Sequence, residues 1–188
     1  EEWPNLQFLF IPFSYGSDPV GRSFDSYPAL TLSVYDVRPT SRGKLWLKSA
    51  DPTTPPAQRY NYLATERDRR VAADAVRVTR RIMAQPAFAK HHAAELDPGP
   101  EIGDDDAALI AFARRNGTTV FHPVGSAKMG LDSDPLAVVD ARLKVIGIDR
   151  LRVVDAAVMP AITSGNTNAP TLMIAEKGAK MILDDARA

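Results

Sequence analysis

Hydrophobic and polar positions alternate in the first third of the chain as they do in strands. Residues 30–37 (LTLSVYDV) keep this alternation over a strand's length, residues 44–49 (KLWLKS) are a second strand candidate, and residues 6–11 (LQFLFI) are a third. Turn-forming proline and glycine lie between the first two. The pattern therefore predicts a hairpin of residues 30–37 with residues 44–49. Residues 12–28 and 51–56 are predicted to be irregular because proline and other turn-forming residues recur in them.

Two helices are predicted in the middle of the chain. Apolar residues recur at helical spacing from residue 71 to residue 82, after a Thr65-x-x-Asp68 sequence that resembles a capping box. Residues 107–115 follow an acidic run at 104–106, contain two arginines at their end and are closed by Asn-Gly. Acidic residues before a helix and basic residues in its last turn are the arrangement that a helix dipole favours. A glycine just after the last turn is a common signal for the end of a helix.

The last third of the chain contains short β-branched runs, and a helix is predicted after them. Residues 138–140 and 151–155 are the β-branched runs, each ending in aspartate. The helix is expected at about residues 169–183, with Asn168 as its N-cap and Pro170 in its first turn. Strands and helices are mixed along the chain without a regular βαβ alternation, which predicts the α+β class.

Composition excludes several classes of function. The 188 residues contain 23 basic and 23 acidic side chains, so net charge gives no argument for binding nucleic acid or an acidic membrane. Cysteine is absent, which excludes disulfides, thiolate catalysis and cysteine-ligated metals. No apolar run reaches the ~18 residues that a membrane span needs. No signal peptide is visible and the chain begins with Glu1, so we expect a fragment or processed product whose localisation is open, with the cytoplasm favoured.

Two clusters of charge have competing interpretations. Six arginines crowd the first predicted helix, at positions 67, 69, 70, 77, 80 and 81. A solvated helix face is the simpler interpretation, and a basic binding face is the alternative. The aspartates at 104–106 could imitate a metal site, but a solvated helix N-terminus explains them without a metal, and we predict no metal site.

Two stretches could carry chemistry. His122 ends a β-like run and enters a Pro/Gly turn, where a rigid scaffold commonly presents a functional group, and histidine moves protons near neutral pH. A lone histidine is nevertheless more often structural. Asn166-Thr167-Asn168 precedes the last helix, whose N-terminal amides favour a negative ligand atom. Ordinary capping by Asn168 is the simpler alternative. Glycine-rich phosphate motifs are absent.

Several of these segments, taken in order, resemble a known family. They include Arg38-Pro39-x-Ser41-Arg42-Gly43, His122-Pro-Val-Gly-Ser-x-x-Met-Gly and Gly165-Asn-Thr-Asn-Ala-Pro-Thr171. In this order they resemble the C-terminal part of the glucose–methanol–choline (GMC) oxidoreductases, in the choline-dehydrogenase-like branch. Members of this family are FAD-dependent enzymes that oxidise alcohols. The resemblance runs through most of the chain.

The resemblance implies a role for each candidate residue. His122 would be the catalytic acid/base and Asn166 its partner across the substrate oxygen. Asp155 and Ala156 would lie near the FAD pyrophosphate, and Thr167, Asn168 and the helix N-terminus beside the flavin ring. A hydride would pass from the alcohol carbon to flavin N5 while a base receives the hydroxyl proton. The implied partners are a small-molecule alcohol and an electron acceptor, either oxygen or a quinone-type compound.

The resemblance also implies an organisation. Residues 1–130 would be the substrate-binding domain, an antiparallel sheet flanked by helices. Residues 131–188 would be a C-terminal strand–helix segment that completes an FAD-binding domain whose N-terminal dinucleotide-binding part is missing. We therefore expect the isolated chain to bind FAD poorly and to be inactive without that part. A non-catalytic truncated or proteolytic fragment is the alternative, and a cyanohydrin-cleaving enzyme of the same fold is a more remote one.

Overall fold

The computed structural model describes residues 2–15, 23–91 and 94–187, in which small antiparallel sheets and helices form an α+β fold. The chain divides into two compact units. The first unit contains Glu1–Asp36 and Leu63–Gly117, and the second contains Val37–Tyr62 and Thr118–Ala188. The irregular stretch predicted at residues 12–28 lies partly outside the described residues.

The sheet of the first unit corrects the predicted hairpin. Strand β1 (Leu6–Ile11) pairs antiparallel with β2 (Thr31–Asp36) over six residue pairs. In the second unit, β3 (Lys44–Trp46) pairs instead with β4 (Ala57–Arg59). The predicted pairing of residues 30–37 with 44–49 is therefore wrong, because β1 offers β2 a longer partner. Gly43 is needed for close approach rather than for a hairpin turn, since a Cβ on it would lie 2.4 Å from the carbonyl oxygen of Arg59.

The helices of the first unit follow their sequence signals. Helix α1 (Glu66–Met83) is capped by Thr65, whose hydroxyl accepts the Asp68 amide at 3.2 Å. After the short helix α2 (Pro86–Ala89) comes α3 (Asp106–Asn116), capped in the same way by Asp105. Both predicted helices are confirmed. Helices α1 and α3 meet at a core that contains Ala73, Val76 and Leu109.

The arginines of α1 hold a neighbouring loop rather than simply facing solvent. Arg77 binds the Oδ1 atoms of Asp104 and Asp106 at 2.6 Å each, which raises the pKa of its guanidinium. Arg80 binds Glu95 at 3.0 Å and donates to the carbonyls of Gly99 and Gly103. The acidic run therefore supplies partners for Arg77, and both arginines bind the loop while staying partly exposed, as the solvated-face interpretation allows.

The second unit is built mostly from irregular chain. Isolated bridges join Met129 to Val139, Val139 to Val145, and Lys144 to Arg152, so the β-branched runs are bridges rather than strands. Gly147 forms the turn between them with a φ of 80°. A 3₁₀ turn at Ala156–Val158 is followed by α4 (Asn168–Arg187), one residue earlier and four residues later than predicted.

One hydrophobic core joins these segments. Its buried residues are Val139, Leu143, Val158, Met159 and Ile174. Partly buried apolar side chains pack against them, including Val124, Met129, Val154, Ala156 and Met181. Helix α4 approaches this core through Gly178, where a Cβ would lie 2.4 Å from Val154 Cγ1.

Over the described ranges, no helix has both the length and the apolar composition to cross a membrane. The assignment of residues 1–130 to a substrate-binding domain and of residues 131–188 to an FAD-binding domain stays a prediction. The compact units divide the chain differently, but compactness does not tell which ligand a segment contacts.

Candidate functional site

The segment that carries His122 is bound along the 3₁₀ turn of the second unit. The Ala127 amide donates to the Ala157 carbonyl at 3.1 Å, and the Met129 amide donates to the Val158 carbonyl at 2.8 Å. Gly125 has a φ of 83°, and a Cβ on it would lie 3.3 Å from the Met159 carbonyl oxygen. The chain after His122 is therefore held by backbone contacts that favour glycine at position 125.

The residue before His122 has an unusual backbone. Phe121 has a φ of 60° and its side chain is 70% exposed. A left-handed conformation costs a non-glycine residue about 1–2 kcal/mol. The Phe121 amide donates to the Thr119 hydroxyl at 3.0 Å, and His122 itself is half-buried. Backbone strain of this kind is concentrated at functional sites, which makes this turn a candidate for one.

The segment before α4 has a second turn of this kind. Ser164 has a φ of 62°, two residues before the exposed Asn166. Thr167 is only 8% exposed, and its carbonyl accepts both the amide and the hydroxyl of Thr171, at 3.0 and 2.6 Å. Asn168 is the first residue of the helix rather than the residue before it. The buried Thr167 therefore anchors the start of α4.

The structure brings both candidate stretches onto one core. Val124 and Met129 lie within eight residues of His122 in sequence, and both pack against the core that contains Ile174 of α4. Ala156 packs against the same core. The loop of His122, the turn at residues 155–159 and the first turns of α4 are thus parts of one packed structure.

Asp155 has a structural partner within its own turn. Its Oδ1 atom accepts the Ala157 amide at 2.7 Å, which caps the 3₁₀ turn. The Ala157 amide is therefore engaged within the chain, while its carbonyl binds the His122 segment through Ala127. The predicted role of Asp155 and Ala156 beside a pyrophosphate stays a prediction, and the observed role of the carboxylate is to shape the turn.

The start of α4 has a donor set that fits the negatively polarised edge of a bound group such as FAD. The amides of Asn168 and Ala169 have no acceptor within the helix, as in the first turn of any helix, and the dipole is positive there. The first turn contains no acidic residue. A Cβ on Gly165 would have no atom within 4 Å, so there is open space beside the residue that precedes Asn166. These features fit the predicted place of Thr167 and Asn168 beside a flavin ring.

No group of three or more metal-ligating side chains is found in the described part of the chain. A surface groove of the second unit is lined by residues that include Asp132, Asp140 and Arg142. None of the six candidate residues lines this groove, so we do not assign the chemistry to it.

Comparison with known proteins decides the family. The family model of the GMC oxidoreductases matches residues 39–175, which include both candidate stretches up to the first turns of α4. This chain belongs to the GMC oxidoreductase family. The match is to the C-terminal domain of these proteins, as the sequence motifs indicated.

Relatives within the GMC family include choline dehydrogenases. The oxygen-dependent choline dehydrogenase of Photobacterium profundum is 42% identical over 182 residues, which are 97% of this chain and 32% of that protein. The one from Serratia proteamaculans is 44% identical over 180 residues, 96% of this chain and 32% of that protein. This chain therefore corresponds to about a third of the length of these relatives.

Solved GMC structures share the fold. The formate oxidase of Aspergillus oryzae RIB40 superposes with a TM-score of 0.83 at 28% identity, over 98% of this chain and 32% of that chain. Pyridoxine 4-oxidase from Mesorbium loti gives 0.77 at 33% identity, over 84% of this chain and 30% of that one. The α+β class predicted from the sequence is confirmed by these neighbours.

Thr119 and Phe121 shape the turn before His122, but neither is predicted from the sequence. An aromatic residue gives no sequence signal for a left-handed backbone, which is a property of the folded turn. A hydroxyl residue two positions before it is a weak signal, because Ser and Thr side chains commonly accept an amide two residues later. Gly125, in contrast, carries the signal of its Pro-x-Gly context.

Proposed function

We propose that this chain is the C-terminal part of an FAD-dependent oxidoreductase that oxidises an alcohol, with His122 as its acid/base. Asn166 lies across the substrate oxygen from His122 in this proposal. The observation that supports it best is the single core onto which Val124, Met129 and Ile174 pack, because this core ties the loop of His122 to the helix that follows Asn166.

In this proposal His122 accepts a proton and Asn166 donates a hydrogen bond. A ring nitrogen of neutral His122 accepts the proton of the substrate hydroxyl, and the Asn166 Nδ2 donates a hydrogen bond to the same oxygen. FAD, when bound, supplies the acceptor for the hydride of the alcohol carbon. Thr167, Asn168 and the first amides of α4 would hold the flavin when it is bound, while Asp155 keeps the turn of Ala156 in shape.

The names of the relatives suggest a first substrate for this proposal. Two relatives are named as choline dehydrogenases, so choline is the first alcohol to test. Oxygen or a quinone-type compound serves as electron acceptor. In this proposal the part of the enzyme outside this chain supplies the dinucleotide-binding region, residues 1–130 line the substrate, and residues 131–188 complete the FAD-binding domain.

Substitution of His122 in the complete enzyme tests the proposal. His122→Ala should slow reduction of the bound flavin by choline by about 10²–10⁴-fold, the usual contribution of a positioned acid/base. The rate is measured by rapid mixing without oxygen, and the flavin content is measured in parallel. His91→Ala removes an exposed histidine of the first unit and serves as the control. A wild-type rate in His122→Ala, for every alcohol that reduces the enzyme, would remove His122 from the mechanism.

A further inference from the structure

We infer that Thr119 is a positioning residue for His122, and this inference rests on the proposed function. Its hydroxyl accepts the amide hydrogen of Phe121 at 3.0 Å. Phe121 is the left-handed residue, with a φ of 60°, that directly precedes His122. The Thr119 hydroxyl thus holds the backbone at the point where the chain turns into the candidate acid/base.

Side-chain packing contributes little to holding this turn. The Phe121 side chain is 70% exposed, so its ring gains little from staying in a conformation that its backbone disfavours. A hydroxyl that accepts an amide two residues later is a recurrent way of stabilising such a turn. Thr119 is half-buried, whereas the neighbouring Thr118 is exposed.

The chain on the other side of His122 is already constrained. Pro123 has a ring-fixed φ and restricts the preceding residue to extended conformations. A Cβ on Gly125 would lie 3.3 Å from the Met159 carbonyl oxygen, so the two backbone segments are close there, and the Ala127 amide donates to the Ala157 carbonyl. The Phe121 backbone is therefore the least constrained part of the segment around His122. A change of the Phe121 φ would therefore reorient His122 relative to the hydrogen-bonded segment that follows it.

The first test compares three variants of the complete enzyme. Thr119→Val keeps the shape of the side chain and removes the acceptor, and it should slow flavin reduction by alcohol about tenfold, the equivalent of one lost hydrogen bond. Thr119→Ser keeps the acceptor and should restore the rate to within about twofold. Thr118→Val is the matched control and should leave the rate unchanged.

A second readout does not depend on catalysis. Amide hydrogen exchange of the peptide that contains Phe121 should be faster in Thr119→Val and normal in Thr119→Ser. Glycine adopts positive φ freely, so in a Phe121→Gly background the Thr119→Val change should alter flavin reduction less than about twofold. This cycle separates support of the Phe121 backbone from a general structural role of Thr119.

The outcomes separate this inference from the proposed function. A wild-type rate in His122→Ala overturns the proposed function, and the positioning role falls with it whatever the exchange shows. A slow His122→Ala combined with a normal rate in Thr119→Val overturns the inference alone. An equal loss in the presence and absence of Phe121→Gly also overturns it, because Thr119 would then act through something other than the turn.

Discussion

The two compact units hold their chains in place by different means. In the first unit, helices α1 and α3 satisfy their backbone groups internally, and arginine side chains fasten the loop at residues 95–106 to α1. In the second unit, β3 and β4 are short paired strands, and isolated bridges and single hydrogen bonds between distant segments join the rest of the irregular chain. Local sequence patterns therefore describe the first unit well, while the second depends on contacts that no local pattern encodes.

Backbone strain follows the same division. Six described non-glycine residues have positive φ, and five of them lie in the second unit: Asn61, Phe121, Leu143, Arg150 and Ser164. The six candidate site residues also lie there. Strain persists only where the surroundings over-determine the chain, and functional sites are where it is usually found. Both units have a buried core, and the second unit adds most of the strained turns, including those next to His122 and Asn166.

The largest expected effect tests the packing of the first unit. Leu109 is fully buried against Ala73 and Val76, so Leu109→Ala should lower the free energy of unfolding by about 2–5 kcal/mol. Denaturant unfolding of the complete protein measures the loss. Flavin reduction below the transition should be unchanged. Leu96→Ala, at a side chain that is 64% exposed in the same unit, should cost about 0.5 kcal/mol or less. Equal costs at the two positions would contradict the packing argument.

Two glycines of the second unit separate the effect of backbone strain from the effect of a close contact. Gly125 and Gly147 have φ values of 83° and 80°, so alanine at either should cost about 1 kcal/mol through the backbone. Only at Gly125 does the new Cβ meet an atom, the Met159 carbonyl oxygen at 3.3 Å, whereas nothing lies within 4 Å at Gly147. Gly125→Ala should therefore also slow flavin reduction, and Gly147→Ala should not. Similar reduction rates in the two variants would show that this contact does not shape the site.

The sequence predicted the first unit more fully than the second because its signals are local. The capping threonine, the helical spacing from residue 71 to 82 and the acidic start of α3 each act within one or two turns. The prediction that was wrong in the first half of the chain was the pairing partner of β2. Strand pairing is a choice among distant segments, and the close approach of Gly43 to Arg59, which accompanies the β3–β4 pairing, cannot be seen from the sequence order.

The candidate site was found through its motifs rather than through its pattern. His122 and Asn166 were singled out by residue type and by resemblance, and their roles stay predictions. What the sequence could not show is how they are held. The bonds from Ala127 and Met129 to the 3₁₀ turn join segments about 30 residues apart, and the left-handed Phe121 has no propensity signal. These features follow from tertiary packing, which no local pattern in the sequence encodes.

The smallest expected effect concerns the ion pairs at the end of α4. Hydrogen bonds from Lys144, Arg152 and Arg142 hold the pKa of the Asp185 carboxyl well below its usual range. Lys144 Nζ lies 2.7 Å and Arg152 Nη2 lies 2.5 Å from Asp185 Oδ2. A depressed pKa in the folded state means that the ionised carboxylate stabilises the fold. This stabilisation is complete above the unfolded pKa of about 4 and is lost as the pH falls through the folded value.

Asp185→Asn should therefore lower the thermal unfolding midpoint modestly at pH 7, since each of these pairs is partly exposed. The difference from wild type should shrink as the pH is lowered below about 4. Asp184→Asn removes a carboxylate that pairs with the single cation Lys180 at 2.9 Å, and it is the matched control with the smaller effect. If the two variants have the same midpoint at every pH, the three-cation cluster does not fasten α4 to the bridged segments, and the packing of Ile174 and Gly178 is sufficient to hold the helix.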